Sequence, residues 1–193
     1  MTKMMDLERV EVDSADALRR WFEQNHSQAE SIWLVTFKKS VPDRYGSTQQ
    51  VLDELMCFGW IDGRRMKLDD ERTMQLLSPR KSQHWSKTYK DRVARLTAEG
   101  RMHASGLAVV EAAKLNGMWD FLNDVDALIK PDDLIEALEA HPPAMTNYEA
   151  FPDSAKRDIL RWIKMAKRAE TRAKRVRVSA EMAAQNERAT GTR

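Results

Sequence analysis

One short stretch of this sequence holds the side chains best suited to bind a ligand. Residues 78–90 read "SPRKSQHWSKTYK", which predicts a strand that ends at Pro79 and a helix capped by Ser86 or Thr88. The first N–H groups of a helix are unpaired and carry partial positive charge. Added cations are therefore unfavourable there unless an anion compensates their charge. The stretch therefore predicts a site for an anionic group. Its candidate residues are Arg80, Lys81, Ser86 and Lys87, with Trp85 as an aromatic wall.

Two kinds of partner would satisfy these cations. One is internal, because residues 120–153 hold nine carboxylates and one lysine, and opposite charges in one small chain attract each other. The other is an external phosphate or carboxylate, on a small molecule or on an acidic protein surface. The sequence leaves both partners open.

A second candidate lies in residues 59–65, "GWIDGRR", where two glycines bracket Trp60 and Asp62. A helix gives way to a hairpin here, and Asp before Gly is ordinary turn chemistry. The functional interpretation makes Trp60 another wall, and Asp62 a polar anchor, of a pocket. The turn alone accounts for the residue types, so both interpretations stand.

The C-terminal residues 156–193 are strongly basic, with 12 lysines and arginines against 4 carboxylates. Arg168, Arg172 and Arg175 follow one another at spacings of four and three, which predicts one face of a helix. This face could complete the anion site if the helix docks nearby, or it could bind nucleic acid. We favour packing on the protein over nucleic acid, because the apolar stripe of the helix is mostly alanine.

No motif of the sequence points to a reaction. Glycine-rich phosphate loops, CxxC pairs, HExxH and GxSxG are all missing. The four histidines are scattered, so neither a metal nor a cofactor is expected. Cys57 lies in an apolar helical pattern typical of a buried thiol, and His103 suits a loop or a cap. We therefore expect a protein that is not an enzyme, with a pocket near Asp62 and His84 as the enzymatic alternative.

The bulk composition is that of an ordinary globular protein. Of 193 residues, 42% are hydrophobic and 32% charged, and the formal net charge is +2. No apolar run is long enough to cross a bilayer, and the N-terminal residues lack the pattern of an export signal. With a single cysteine no internal disulfide can form, which fits a reducing compartment. We expect a cytoplasmic location.

The pattern of apolar residues predicts an α+β fold. Residues 7–12 suggest an edge strand, residues 31–39 are typical of a buried strand, and period-two alternation on both sides of residues 69–71 predicts a β-hairpin. Amphipathic helices flank these strands. The expected architecture is a small antiparallel sheet with flanking helices in the N-terminal half and an all-helical C-terminal half.

One long amphipathic basic helix is expected to end the chain. Apolar residues recur at spacings of three and four from Ile159 to Ala180, which predicts a single continuous stripe. We expect one α+β domain over residues 1–193, with a strand-rich part to residue 79, a helical part over 80–184 and a frayed tail over 185–193.

The order of several motifs resembles the YdeI/OmpD-associated family, also called bacteriocin-protection proteins. The resemblance runs from about Trp33 to Val176. It departs from the family pattern at Thr88 and Tyr89, where a small residue and Asn are usual, and at His103 and Ala104, where Thr-Pro is usual. The motifs that carry it are "WLVTFKK", "CFGWIDG", "LDDERTMQLLSPR", "WSK", "AEGRMHASGLAVVEAAKLNGMWD", "PDDLIEALEA" and "RWIKMAKRAETRAKRV".

The resemblance implies a link to bacteriocin or cationic-peptide resistance and to stress, and it brings no cofactor or catalytic residue. Joined to the charge pattern, it suggests a cytosolic binding protein for an anionic group. This hypothesis predicts that Arg80→Ala combined with Lys87→Ala removes ligand binding without unfolding the protein. Unchanged binding in a titration would refute it.

Overall fold

The computed structural model describes residues 6–189. The chain forms two compact units, one that ends at Asp120 and one that begins at Phe121. The boundary lies well after residue 79, where the strand-rich part ends. The single domain that we expect from the sequence stays a prediction.

The first unit is built on a mixed sheet. Its strands, within residues 6–189, lie in the order β1-β2-β4-β3. β2 pairs antiparallel with β4, and β3 and β4 form the predicted hairpin. β1 pairs parallel with β2, so the expectation of an antiparallel sheet is wrong at this edge. The strands are β1 (Arg9–Glu11), β2 (Ile32–Phe37), β3 (Trp60–Lys67) and β4 (Arg72–Pro79).

Helix α1 (Ala15–Asn25) explains the parallel edge. Parallel neighbours cannot be joined by a tight turn and need a crossover connection, which is usually a helix. α1 supplies this crossover between β1 and β2. The α-helices that follow in this unit are α2 (Thr48–Phe58), α3 (Lys87–Ala98) and α4 (Ala104–Leu115).

Three helix ends in this unit are formed by residues whose chemistry favours that position. Ser14 accepts from the N–H of Ala17, and Ser47 forms a reciprocal capping box with Gln50. Gly59 ends α2 at φ 76°, a left-handed conformation that glycine adopts without penalty.

The two faces of the sheet bury different sets of side chains. Ile32, Leu34 and Leu77 belong to a large core with residues of α1 to α4. Trp33, Val35 and Met74 form a smaller cluster on alternate positions of the same strands. This period of two is the one that predicted the hairpin.

Helices α2 and α4 approach each other at backbone distance. A Cβ built on Gly106 of α4 would lie 2.2 Å from the carbonyl oxygen of Cys57. On α2, a Cβ at Gly59 would lie 2.8 Å from Val109 and 3.2 Å from the carbonyl oxygen of Ser105. The contact therefore depends on two glycines, one on each side.

The second unit is helical within the described residues. Its buried side chains include Leu134, Leu138, Tyr148, Ile159 and Ile163, which form one core. The helices are α5 (Asn123–Asp126), α6 (Asp132–Glu139), α7 (Ala144–Ala150), α8 (Asp153–Lys164) and α9 (Ala169–Ala184).

The single long C-terminal helix expected from the sequence is wrong. α8 ends at Lys164 and α9 begins at Ala169, with Arg168 extended at φ −111° and ψ 141°. The chain folds back, so that the Arg175 guanidinium donates to the carbonyl oxygen of Trp162. An alanine stripe offers little apolar area, and the break lets both helices bury residues in one core. Ala169 and Ala173 are consequently exposed.

Acidic and basic segments do meet inside this unit. Asp124 accepts from Lys164 at 2.6 Å, Asp133 holds Arg172 at 2.8 Å, and Glu149 lies 3.4 Å from Lys156. Carboxylates of the acidic segment 120–153 are therefore paired with cations of the C-terminal segment, and not with those of residues 78–90, in these three pairs. Lys167, Arg168 and Lys174 form no ion pair with any residue between 6 and 189.

The ends of the described chain add two findings. Residues 185–188 are exposed and Ala189 is buried in the core of the second unit; the frayed tail expected over residues 185–193 stays a prediction, and residues 190–193 lie outside the described residues. None of the helices between residues 6 and 189 is long and apolar enough to span a membrane.

The α2–α4 contact generates the first prediction. Gly106→Ala would place a methyl group against the Cys57 carbonyl, and backbone cannot yield as a flexible side chain does. We expect the free energy of unfolding to fall by about 3 kcal/mol or more, measured by urea denaturation with tryptophan fluorescence.

Gly46→Ala is the matched control, because a Cβ at Gly46 meets nothing within 4 Å. We expect that variant to lie within about 1 kcal/mol of the parent. Equal effects of the two substitutions would show that the close contact is absent.

Candidate anion-binding site

Arg80 is buried beside two aromatic rings. Its backbone N–H donates to the carbonyl oxygen of Gly59 at 2.9 Å, which fixes the residue at the end of β4. Only 5% of the side chain is exposed. The guanidinium carbon lies 3.8 Å from the ring centroid of Trp85 and 5.0 Å from that of Tyr89. The sequence-predicted pair of Arg80 and Trp85 is therefore brought together.

Three N–H donors at this place have no acceptor. Arg80 Nη2 donates to the carbonyl oxygen of His84 at 2.9 Å. Arg80 Nε and Nη1, and Trp85 Nε1, are buried without a hydrogen-bond partner. A buried donor without a partner costs about 1–3 kcal/mol, and more when it is charged. The group that would satisfy these donors must supply acceptor oxygens.

Asp62 faces the same cluster through a bulge in β3. The pairing of β3 with β4 shifts between Asp62 and Arg65, and bulges re-aim side chains in this way. The Asp62 carboxylate accepts from Tyr89 Oη at 3.0 Å and from Gln75 Nε2 at 3.2 Å. Gln75 accepts in turn from Arg65 at 2.6 Å. The hydrogen bonds thus tie Asp62 to Tyr89 and Gln75, and its role as the polar anchor of a pocket stays a prediction.

The electrostatics of the site are set by burial and by the nearby Asp62. Burial lowers the pKa of the Arg80 guanidinium, while Tyr89 and Asp62 act in the opposite direction. Burial and the nearby Asp62 raise the pKa of Tyr89 to about 12, so its hydroxyl stays protonated at neutral pH. Arg80 forms no ion pair with any carboxylate of residues 6–189. The negative charge of Asp62 therefore compensates the charge of Arg80 only at longer range.

Trp60 lies in the core and packs on other aromatic rings, whereas Trp85 packs on Arg80. The Trp60 side chain is 1% exposed, and its Nε1 donates to the carbonyl oxygen of His26 at 3.0 Å. Its ring packs edge-on against Trp21 and Phe22.

The remaining predicted residues of the 78–90 stretch lie at the surface or at its edge. Lys81 and Lys87 are exposed, and Lys87 pairs with Asp91 at 2.7 Å on the next turn. Ser86 is the N-cap of α3, but its side chain makes no capping hydrogen bond.

The three predicted arginines of the C-terminal segment belong to the second unit. Arg172 holds the carboxylate of Asp133 with two hydrogen bonds, and Arg175 lies 5.3 Å from the ring centroid of Trp162. Arg168 is exposed at the N-cap of α9. Arg172 and Arg175 are thus engaged in packing.

Sequence reasoning missed a buried acidic pair in α2. Asp53 accepts from Arg92 and Arg95, and Glu54 accepts from Arg19 at 3.0 Å and Arg101 at 2.6 Å. The pKa of Asp53 is lowered, because the arginines outweigh the effect of burial. The sequence signal that could have revealed this pair is the presence of two adjacent carboxylates within an apolar helical pattern.

His26 and His103 form a second titratable pair, with ring centroids 4.6 Å apart. His103 Nδ1 accepts from the backbone N–H of Ser105 and so caps α4, which confirms its interpretation as a cap. Burial raises the pKa of the neighbouring Cys57 thiol, in keeping with a structural cysteine. Within residues 6–189, no group of three or more His, Cys, Asp and Glu side chains is placed to hold a metal.

Two members of the anion site were also missed, Gln75 and Tyr89. Gln75 lies among apolar residues of a strand, where its buried amide gives no signal of its own. Tyr89 did carry a sequence signal, because it stands where the YdeI/OmpD-associated family usually has Asn. The departure from the family pattern thus falls on the residue that joins Arg80 to Asp62.

Two family models match this chain, and each match lies within one of the two structural units. Residues 10–109 match the model of a domain of unknown function (DUF8412), which covers about half of the chain. The chain belongs to this family. The described anion site, from Asp62 to Tyr89, lies entirely within the matched residues.

Residues 127–186 match the family described as bacteriocin-protection, YdeI or OmpD-associated. The resemblance seen in the sequence is therefore confirmed over this segment, which lies in the second unit. The motifs before residue 110 fall in the first family instead. No curated protein and no solved structure matches the chain.

The histidine pair generates a prediction on pH. Burial, His26 and Arg19 lower the pKa of His103, so the folded state favours the neutral ring that accepts from Ser105. The unfolded chain binds the proton more readily, so stability falls as the pH drops below about 6.5. Urea denaturation between pH 7 and pH 5 measures this loss.

His103→Asn is the matched variant, since its side-chain oxygen can cap α4 without titrating. We expect it to show a smaller fall in stability over the same pH interval. An equal fall in both proteins would place the titration elsewhere.

Proposed function

We propose that this protein is a cytosolic binding protein for a small anionic ligand, with Arg80 as the main anchor. The observation that supports the proposal is the cluster of three buried N–H donors without acceptors on Arg80 and Trp85. A phosphate or carboxylate presents several acceptor oxygens in a small volume. Hydrogen bonds to such a charged group are among the stronger ones in proteins.

The burial of Arg80 is the physical reason for a ligand. Moving a charge out of water costs several kcal/mol unless a partner compensates. The two rings contribute cation–π attraction, worth on the order of 1–2 kcal/mol, and one carbonyl contributes a hydrogen bond. A bound anion would complete the compensation that the protein itself supplies only in part.

The aromatic rings define the shape of the proposed pocket. Trp85 and Tyr89 contact the guanidinium, and Tyr89 is tied to Asp62 by its hydroxyl. This arrangement holds the guanidinium in one orientation before a ligand arrives, which lowers the entropy cost of binding. Lys81 and Lys87, which are exposed, would raise the local concentration of anions rather than bind them.

The enzymatic alternative, a pocket near Asp62 and His84, has less support. Tyr89 and Cys57 both have raised pKa values, so neither provides an anionic nucleophile at neutral pH. Asp62 accepts two hydrogen bonds, which suits an anchor more than a general base. We therefore keep binding as the proposal.

A role in resistance to bacteriocins or cationic peptides, or in stress, would follow from the family matched by residues 127–186. We propose it as the biological context of the anion site. Nucleic acid is the less favoured partner, because Arg172 and Lys164 of the basic segment are held by carboxylates.

Arg80→Met tests the proposal, because methionine keeps the apolar length of the side chain and removes its donors. We expect the variant to bind inorganic phosphate or acetate about 10–100-fold more weakly than the parent, as for loss of a hydrogen bond to a charged group. Isothermal titration calorimetry at constant ionic strength measures the affinity. In the absence of an anion, we expect the free energy of unfolding of the variant to be no more than about 1 kcal/mol below that of the parent, since the substitution removes a buried charge.

Lys39→Met is the matched control, because Lys39 is exposed and belongs to no part of the proposed site. It should bind phosphate like the parent. If Arg80→Met does not fold, Trp85→Phe removes only the Nε1 donor and should still weaken binding by about tenfold. A parent protein that binds neither anion would contradict the proposal, as would an Arg80→Met variant that binds like the parent.

A further inference from the structure

The outer edge of β3 pairs with no other strand of residues 6–189. β3 stands last in the sheet order β1-β2-β4-β3, and β4 pairs with its inner side. It has eight residues, whereas β1 at the opposite edge has three. Alternate N–H and C=O groups of an edge strand point away from the sheet, so β3 presents a template for one more strand.

This edge is open to solvent and basic. Residues 63–65 and Lys67 are exposed. Within residues 6–189, Arg64 and Arg65 form no ion pair, and Lys67 pairs with Asp70 at 2.7 Å where both side chains lie largely in water. Exposed pairs of this kind contribute little. The described chain therefore leaves most of the positive charge of the edge uncompensated.

The two faces of β3 carry different side chains. Arg65 lies opposite Gln75 of β4, and Met66 lies opposite Met74. Directly opposite residues share a face of the sheet, so Met66 lies on the face of the smaller buried cluster, against which it packs. Arg65 and Lys67 lie on the other face. A strand added to β3 would continue both faces, with alternate side chains beside the cations and beside Met66.

We propose that the outer edge of β3 binds an extended acidic segment of another protein, in which acidic and apolar residues alternate. Its carboxylates would lie beside Arg65 and Lys67, and its apolar side chains would extend the cluster at Met66. In recognition of this kind, main-chain hydrogen bonds supply affinity and alternate side chains supply specificity.

The charge of the edge is the argument for an acidic partner. Cations on an edge strand commonly prevent pairing with other strands. Here they oppose a basic strand, including β3 of a second copy, whose cations would face their own kind. An acidic strand turns the same charges into favourable contacts. This inference does not depend on ligand binding at Arg80.

The bulge of β3 limits the strength of the complex. The pairing of β3 with β4 shifts between Asp62 and Arg65, and a bulge bends its strand. The regular segment that remains is short, so we expect weak and reversible binding.

A fluorescein-labelled peptide of about eight residues, in which glutamate and valine alternate, tests the proposal with the full chain. Fluorescence anisotropy at about 0.15 M ionic strength measures binding. We expect a dissociation constant of about 100 μM or below. A peptide with lysine in place of glutamate should bind at least about tenfold more weakly.

Arg64→Glu combined with Lys67→Glu reverses charge at the edge, and we expect it to weaken binding of the glutamate peptide at least about tenfold. Arg20→Glu combined with Lys39→Glu is the matched control. Both of its positions are exposed and lie outside β3, and it changes the net charge equally. The control should bind like the parent.

Two further peptides test strand pairing itself. In each, alternate amides of the glutamate peptide are N-methylated, at odd positions in one and at even positions in the other. One set of N–H groups faces β3 and the other faces away. Binding should therefore be lost for one peptide and kept for the other.

A parent protein that binds no glutamate peptide overturns the proposal, as does one that binds the lysine peptide equally well. Binding by the Arg64→Glu and Lys67→Glu double variant at the strength of the parent contradicts the location at β3. Equal behaviour of the two N-methylated peptides, whether both bind or neither does, contradicts strand pairing.

Discussion

The packing of the first unit depends on two buried carboxylates of α2 and the arginines that surround them. Asp53 draws Arg92 and Arg95 of α3 to α2, and Glu54 draws Arg19 of α1 together with Arg101. Removing one partner from such a network is costly, because the remaining charge is buried and unpaired. The network therefore fixes α1 and α3 around α2, while Gly106 fixes α4 by backbone contact.

Arg80 is the exception to this rule of paired charge. Among the described residues, the charged side chains classed as buried are Asp53, Glu54 and Arg80. Asp53 is paired with three arginines and Glu54 with two, whereas Arg80 has two aromatic rings, one carbonyl and the more distant Asp62. Arg80 is therefore the buried charge whose compensation by residues 6–189 is the least complete.

Local sequence signals predicted most of the fold. Ser14, Ser47 and Gly59 mark helix ends because their chemistry acts within one turn, and alternation over Met66, Leu68, Met74 and Leu76 marked the hairpin. The parallel edge of the sheet and the break after Lys164 depend on contacts between distant residues, which spacing alone does not encode. For the site, Arg80, Trp85 and Asp62 were predictable, whereas the inward position of Trp60 and the role of Gln75 were not.

The break between α8 and α9 also decides how the basic segment is used. In one straight helix its cations would form a continuous surface suited to a polyanion. The fold-back instead places Arg175 on Trp162 and Arg172 on Asp133, so these cations stabilise the second unit. The same break leaves Ala169 and Ala173 uncovered at the start of α9. Alanine contributes little to a core but allows close helix contact, so the segment suits a helix–helix interface better than a nucleic-acid surface.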